Sequence, residues 1–387
     1  MDNINVSSLG PIAKANISFA DLTFFVGPQA SGKSILLQLI KLLEDKKHIR
    51  KTLEQYGFIW GKGVGSILDR YFGEGMSGLW NERTSVVYDG KKYESSFLLP
   101  KQKESFKKSS ETLFYIPAQR VVCLQNGWPR FFTEYDDSVP FVLRHFSEVL
   151  RQLLESTSGE ENDIVFPQNQ RLKAPLRDSF NKSIFHDSKV VLDKTIKKRF
   201  KLNADNVSIP FMAWSAGQKE FMPLLLSFYW LCPASRKSRR DEVEYVVIEE
   251  PEMGLHPEAV KSVILQIIDL LSRDYKVIVS THSPVLLEFA WAFRFLQKAG
   301  ARDDDFMKLF DLEKNASTLR LFKNVLLNKK INTYYFDHDK AKVEVKDISS
   351  LDAGSDDKSV SEWGGLSSFS SRAADIISGA MAFENEA

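Results

Sequence analysis

The chain has 387 residues, of which 43% are hydrophobic and 27% are charged, so it has enough apolar material for a large core and a smaller lobe. Its 52 basic and 51 acidic residues leave a formal net charge of +1, and any nucleic acid must therefore bind to a local basic patch. Cys123 and Cys232 are far apart, the six histidines lack metal-ligand spacing, and no long apolar run occurs. These features argue against a disulfide framework, a structural zinc site and a membrane span, and we expect a cytoplasmic protein with free thiols.

The first motif with chemical meaning follows a short β-rich entry. Residues 22–26 are an apolar run typical of a buried parallel strand, and residues 35–43 are typical of a helix. The residues between them fit the pattern G-x-x-x-x-G-K-[ST] of a phosphate-binding loop, in which Lys33 reaches the β and γ phosphates and Ser34 coordinates Mg²⁺. The residues predicted to contact the nucleotide here are Gly27, Pro28, Gln29, Ala30, Ser31, Gly32, Lys33, Ser34 and Ile35.

The segment between Lys33 and Ser215 has no long heptad repeat and predicts an inserted lobe instead of a coiled coil. Residues 113–120 are typical of a strand that ends in a polar corner, and residues 141–155 and 174–186 are typical of helices. The basic cluster at 194–201 has two interpretations, a solvated strand edge or a contact with a phosphate backbone.

The sequence Ser215-Ala216-Gly217-Gln218 precedes an apolar helix. Ser215 and Gln218 fit a capping box, in which the two side chains bond the free N–H groups of the first helical turn. Gly217 costs such a turn about 0.5 to 1 kcal/mol relative to alanine, which suggests that a ligand or another backbone lies close to it.

Two further apolar strands end in side chains suited to phosphate chemistry. Residues 245–248 lead into Glu249 and Glu250; the first carboxylate is predicted to hold Mg²⁺ and the second to orient or deprotonate the attacking water. Residues 276–281 lead into His282, which we expect to sense the γ-phosphate. Pro257 is well placed to begin a helix over 258–272. The predicted catalytic residues are therefore Lys33, Glu250 and His282.

Taken together, these motifs resemble those of ABC-class ATPases of the SMC, RecF and OLD group over about residues 5 to 290. The strings at 115–120 and 249–257 are most similar to OLD-like antiphage-defence ATPases. The resemblance implies ATP and Mg²⁺ as ligands and a homodimer, or a higher oligomer, that sandwiches two ATP molecules. It also implies that Ser215, Gly217 and Gln218 complete the partner subunit's nucleotide site, and that Gln119 contacts both nucleotide and Mg²⁺.

Three positions depart from the pattern of this group. Gln29 stands where asparagine is commoner, Ala216 where a second glycine is commoner, and Glu249 where aspartate is commoner. Glu249 is longer by one methylene, so the geometry of metal binding is the feature most affected.

The resemblance favours an ATP-hydrolysing, DNA-associated switch from an antiphage-defence or DNA-repair system. An OLD-type nuclease is an alternative, but only Asp337-His338-Asp339 approximates its Asp-x-Asp strand end, and these residues fit the turn of a hairpin over 334–345 better. An ABC transporter subunit is a weaker alternative, because about 180 residues separate Lys33 from Ser215. DNA is expected to bind basic segments at 46–51, 194–201 and 236–240.

The predicted fold is an α/β, ABC-type P-loop ATPase domain with an inserted small helical or mixed lobe and a short C-terminal α+β extension. The predicted division is 1–120 and 206–300 for the two parts of the ATPase domain, 121–205 for the mainly helical lobe, and 301–387 for the extension. Because no second catalytic centre is evident, a separate effector, a nuclease or toxin, is expected to bind the polar tail with Trp363 and a helix over 368–382. A truncation after Asn332 is expected to spare nucleotide binding.

Overall fold

A computed structural model of the chain describes residues 1–100, 109–157, 164–168, 170–233, 239–322, 328–339 and 342–385. Within these ranges the strands are β1 Asn3–Leu9, β2 Ile12–Ser18, β3 Leu22–Val26, β4 Trp80–Tyr88, β5 Lys91–Tyr93, β6 Leu113–Ile116, β7 Leu124–Gln125, β8 Trp128–Pro129, β9 Ile164–Phe166, β10 Lys189–Asp193, β11 Arg199–Ala204, β12 Val207–Pro210, β13 Tyr245–Glu249, β14 Lys276–Thr281, β15 Ile331–Asp339 and β16 Lys342–Asp347. The helices are α1 Lys33–Gln55, α2 Val64–Phe72, α3 Phe141–Thr157, α4 Ala174–Phe180, α5 Ala216–Leu231, α6 Pro257–Ser272, α7 Pro284–Lys298, α8 Asp303–Leu309, α9 Ala316–Phe322 and α10 Ser368–Asn385, with one further helical turn at Lys358–Ser361.

The central feature is a mixed sheet with the strand order β5-β4-β1-β2-β16-β15-β3-β14-β13-β6. Strands β15, β3, β14, β13 and β6 run parallel to one another, whereas β1 pairs antiparallel with β2 and β4. The parallel strands β3 and β13 are buried at every residue, as expected for strands covered on both faces. This architecture confirms the predicted α/β fold.

Two hydrophobic cores cover the two faces of the sheet, because successive strand side chains point to opposite sides. Phe24, Val246 and Val279 pack with residues of α3, α5, α6 and α7 on one face. Phe25 and Val247 pack on the other face, with residues of α1. The parallel register places the carboxyl ends of β3, β14 and β13 at a common edge, since Val26 pairs with Thr281 and Ser280 pairs with Glu249.

Two strands of the C-terminal segment, β15 and β16, are part of this sheet. Strand β15 lies between the phosphate-loop strand β3 and β16, and β16 pairs with β2, so the two strands join the two halves of the sheet. The predicted hairpin over 334–345 is confirmed, but its turn does not begin at Asp337, because β15 continues through Asp339 and Asp337 pairs with Glu344. The expectation that truncation after Asn332 spares nucleotide binding conflicts with this topology.

The inserted segment 121–205 is mixed in structure and shares the main core. It contains α3 and α4, and its strands β9 to β11 form an antiparallel sheet with β12. Phe146 of α3 and Phe200 of β11 belong to the same buried cluster as Phe24 of β3. The described residues of this segment therefore share a core with the central sheet.

Three smaller predictions can be compared with the structure. Cys123 and Cys232 are both buried free thiols. Helix α6 begins at Pro257, as predicted. None of the helices in the described ranges combines the length and the apolar character that crossing a membrane requires.

Candidate functional site

The phosphate loop connects β3 to α1 through left-handed backbone conformations. Gly32 caps α1 with φ of 84°, and Ala30 has φ of 58°. At Gly27, with φ of 144°, a Cβ atom would lie 2.7 Å from the carbonyl oxygen of Phe336. Glycine is therefore required at Gly27 by the close approach of β15 as well as by the conformation of the loop.

The Lys33 side chain is held inside the loop. Its ammonium donates hydrogen bonds to the carbonyl oxygens of Gly27 (2.9 Å) and Pro28 (2.8 Å) and to Ser31 Oγ (3.2 Å). Burial lowers the pKa of Lys33 to about 8, and the nearby carboxylates oppose this shift. An anion bound in the loop would favour the charged form.

Glu249 ends β13 with a buried carboxylate. Its Oε2 accepts a hydrogen bond from the N–H of Ala118 (3.3 Å), whereas Oε1 is buried without a hydrogen-bond partner among the described residues. Burial raises the pKa of Glu249, and the neighbouring Ser34 hydroxyl opposes that rise. A buried carboxylate with one free oxygen, beside a hydroxyl, provides the oxygen ligands that Mg²⁺ prefers, so Glu249 and Ser34 fit this ion.

Glu250 and His282 face each other at the same edge of the sheet. Glu250 has a left-handed backbone with φ of 43°, and its Oε1 lies 3.5 Å from Nε2 of His282. Hydrogen bonding to His282 lowers the pKa of Glu250, and the charge of Lys33 adds to the effect. Both side chains remain about 30% exposed, so a substrate can reach them. The structure thus brings Lys33, Glu249, Glu250 and His282 together at one edge of the sheet.

Two residues of this site were missed by the sequence analysis. Glu252 Oε1 accepts hydrogen bonds from Thr281 Oγ1 (2.7 Å) and from the N–H of His282 (2.6 Å), which fixes the backbone that carries the histidine. Arg120 is completely buried beneath the ends of β6 and β13. Both lie in the strings that carried the family resemblance, which was the signal available in the sequence.

Gln119 follows β6 and is adjacent to Ala118, the residue whose N–H contacts Glu249. Its side chain is exposed, and no hydrogen bond from it to another described residue is present. Its contact with nucleotide and Mg²⁺ therefore remains a prediction.

The segment at the start of α5 forms the predicted capping box. Ser215 Oγ accepts from the N–H of Gln218 (3.3 Å), and Gln218 Oε1 accepts from the N–H of Ser215 (3.2 Å). A Cβ atom on Gly217 would lie 2.8 Å from the carbonyl oxygen of Gly254, so the close neighbour expected at this glycine is another backbone. Ser215 itself is exposed and available to a partner.

A buried polar network lies behind the phosphate loop, on α1. Glu111 Oε1 contacts Lys41 Nζ (2.6 Å) and His145 Nε2 (3.0 Å), and Asp45 Oδ2 accepts from Lys41 at 2.7 Å. With His48, Glu111 and His145 form the one group of potential metal ligands within the described ranges, a proximity that their spacing in sequence did not indicate. Because the Lys41 ammonium already neutralises Glu111, we interpret this group as an ion-pair network.

Solved structures with similar folds share little sequence with the chain. An SMC head bound to the C-winged helix domain of ScpA is 14% identical over 89% of this chain and 96% of that chain, with a TM-score of 0.40. The SMC head domain from Thermotoga maritima is 11% identical over 89% and 98%, with a TM-score of 0.36. A dimeric bacterial ABC transporter cassette is 12% identical over 74% and 90%, with a TM-score of 0.34. No curated protein matches significantly.

A family model gives the assignment. The model described as "AAA domain, putative AbiEii toxin, Type IV TA system" matches residues 22–288. This range holds the phosphate loop, the capping box before α5, the acidic end of β13 and His282. The chain therefore belongs to this AAA-domain family.

Proposed function

We propose that the chain binds ATP with Mg²⁺ and hydrolyses it. The observation that carries this proposal is the convergence of Lys33, Glu250 and His282 at one edge of the sheet, with Glu250 Oε1 3.5 Å from His282 Nε2. Ser34 and Glu249 would hold Mg²⁺, which neutralises phosphate charge when bound.

Each side chain has a distinct role in this proposal. Lys33 exchanges its hydrogen bonds to the loop carbonyls for bonds to the β and γ phosphates. Glu250, whose pKa is lowered, is ionised at neutral pH and accepts a proton from the attacking water or orients it. His282, fixed through its backbone by Glu252, donates to the γ-phosphate. The negative charge that develops on the transferred phosphoryl group is thus stabilised by hydrogen-bond donors that are already in position.

The decisive experiment compares Glu250→Gln with Lys33→Ala. Glu250→Gln should bind ATP normally but turn over at least about a hundredfold more slowly, because the amide cannot accept the proton. Lys33→Ala should lose ATP affinity. Undiminished hydrolysis by Glu250→Gln would reject the role given to the glutamate.

We further propose that two chains sandwich two ATP molecules. The exposed Ser215 at the start of α5 supports this arrangement, because its hydroxyl and the first-turn N–H groups of a helix are suited to bind an anion from outside the chain. Each composite site would then combine the phosphate loop of one subunit with Ser215 and Gly217 of the other.

The proposed biological role is a DNA-associated switch. Lys197 and Lys198 are exposed and line a groove of about 580 Å³ together with Trp128, a combination that suits a nucleic-acid backbone and its bases. Arg199 and Lys201 pair with Asp193, so they contribute less free charge. Of the other predicted basic segments, Lys46 is buried against the carbonyl of Phe97, and 236–238 lie outside the described residues.

The effector contact is proposed to lie on α10. Phe369, Ile376 and Ile377 are exposed at spacings that place them on one face of this helix. Trp363 is instead partly buried against the core: its Nε1–H donates to the carbonyl of Leu351 (3.1 Å), and its ring lies 6.2 Å from that of Trp291.

The nuclease alternative finds no support in the described residues. Asp337 lies within β15 and pairs with Lys346 at 2.6 Å, so it is not part of an acidic metal site. The one group of potential metal ligands in the described ranges is the network around Glu111.

A further inference from the structure

The hydrogen bonds that the Arg120 guanidinium makes to other described residues all go to backbone carbonyls. The side chain is 0% exposed, and none of the described carboxylates pairs with it at ion-pair distance. Its N–H groups donate to the carbonyl oxygens of Ala118 (3.4 Å), Glu220 (3.1 Å), Glu249 (3.1 Å), Glu250 (3.2 Å) and Pro251 (3.4 Å).

A buried charge with no carboxylate at ion-pair distance is unfavourable unless its hydrogen bonds are satisfied. Here the planar guanidinium of arginine donates hydrogen bonds to carbonyls on several sides at once, which the compact ammonium of lysine cannot do. The arrangement therefore depends on arginine specifically, and it fixes the relative positions of the segments that supply the carbonyls.

Those segments are three different parts of the ATPase machinery. Ala118 belongs to the corner after β6 that contacts Glu249. The carbonyls of residues 249–251 surround the left-handed backbone of Glu250. Glu220 lies in the second turn of α5, the helix that begins after Ser215. The contact between Gly217 and the carbonyl of Gly254 joins the same two regions a second time.

We infer that Arg120 is a positioning residue that couples the two composite ATP sites of the dimer, an inference that rests on the proposed function. Within one subunit it ties Glu250, which acts on that subunit's own ATP, to α5, whose Ser215 acts on the partner's ATP. A change at one nucleotide is thereby transmitted to the other site through a short, fully buried connection.

The test uses Arg120→Lys, which keeps the charge but loses the planar guanidinium. Homodimers of this variant should hydrolyse ATP about ten- to a hundredfold more slowly, since small displacements at a catalytic centre have effects of this size, while the ATP Kd changes little. Arg144→Lys is the matched control. Arg144 is also buried, and it donates to the carbonyls of Val139 (3.0 Å) and Asp136 (2.6 Å) away from the site, so its substitution should lower Tm without this loss of turnover.

Mixed dimers separate an effect of Arg120 on the partner's ATP site from an effect confined to the Glu250 of its own chain. Two mixed dimers are compared. In the first, a wild-type chain is paired with a Lys33→Ala chain; in the second, it is paired with a chain that carries both Lys33→Ala and Arg120→Lys. In both dimers only the wild-type chain's phosphate loop binds ATP. That single site uses the wild-type Glu250 and the other chain's Ser215. If Arg120 couples the sites, adding Arg120→Lys to the Lys33→Ala chain should slow hydrolysis at the wild-type loop about tenfold or more.

Unchanged turnover at that site would overturn the inference, as would a fully active Arg120→Lys homodimer. If Arg120→Lys does not fold, Arg120→Gln serves in its place, because a neutral amide carries no charge to bury. Failure of the proposed function would be evident separately, in a wild-type protein without ATPase activity.

Discussion

The carbonyl oxygen of Phe336 lies 2.7 Å from the point where a Cβ atom on Gly27 would be placed. Residues far apart in the sequence are thus in close backbone contact at the phosphate loop. Because β15 lies beside β3 in the sheet, the C-terminal strands pack directly against this loop.

Replacement of Gly27 by alanine should disturb the loop, since a Cβ at 2.7 Å from a carbonyl oxygen forces the backbone to move. We expect ATP affinity to fall at least about tenfold, equivalent to ~1.4 kcal/mol, in a calorimetric titration. Gly78→Ala is the control, because Gly78 has open space around it and ordinary φ. Equal affinities of the two variants would show that the contact with Phe336 has no influence on binding.

Truncation after Asn332 should prevent folding, because it removes nearly all of β15 and β16 and exposes the edges of β3 and β2. Tyr334, Phe336 and Val343 are buried and would be lost with these strands. Truncation after Ser367 leaves the sheet intact and should retain Tm and ATP binding while losing the effector in a pull-down. If the chain that ends at Asn332 still folded and bound ATP, this account of the sheet would be contradicted.

ATP affinity should decrease as the pH rises above about 8. Burial lowers the pKa of Lys33 to about 8, so the free protein loses the ammonium charge above this pH and must take up a proton to bind phosphate. Below that pH the lysine is already charged, and affinity should be nearly constant. Calorimetry at about pH 9 in two buffers of different ionisation enthalpy should detect proton uptake, and its absence there would exclude Lys33 as the group that titrates.

Ser215→Arg should block the ATP-dependent dimer but leave ATP binding to the phosphate loop intact. The molecular mass of each variant with and without ATP is measured by light scattering in the Glu250→Gln background. The substitution also removes the helix cap, at about 0.5 to 2 kcal/mol, so Ser215→Ala is the control that loses the cap without adding bulk. If the Ser215→Arg variant still formed an ATP-dependent dimer, the proposed ATP sandwich would be rejected.

DNA affinity should fall steeply with salt, and charge reversal of both Lys197 and Lys198 should reduce the slope of log K against log salt by about two. The same reversal at Lys91 and Lys92, two exposed lysines on β5, is the control and should leave the slope unchanged. Binding that does not depend on salt, or equal slopes for both double variants, would exclude the groove as the DNA contact.

Local sequence was sufficient for the parts of the site that are contiguous in the chain. The phosphate loop, the capping box of Ser215 and Gln218, the start of α6 at Pro257 and the acidic end of β13 each depend on neighbouring residues. Hydrophobic periodicity and turn chemistry act over such short spans, so these elements can be predicted without knowledge of tertiary contacts.

Only the tertiary structure decided which distant segments meet. The bond from Arg120 to the carbonyl of Glu249 joins residues 129 positions apart, and no period in the sequence encodes it. The same holds for the insertion of β15 beside β3, for Gly217 against Gly254, and for His48, Glu111 and His145. A strand carries the same alternation of side chains wherever it lies in the sheet, so its neighbours are selected by the packing of the whole core.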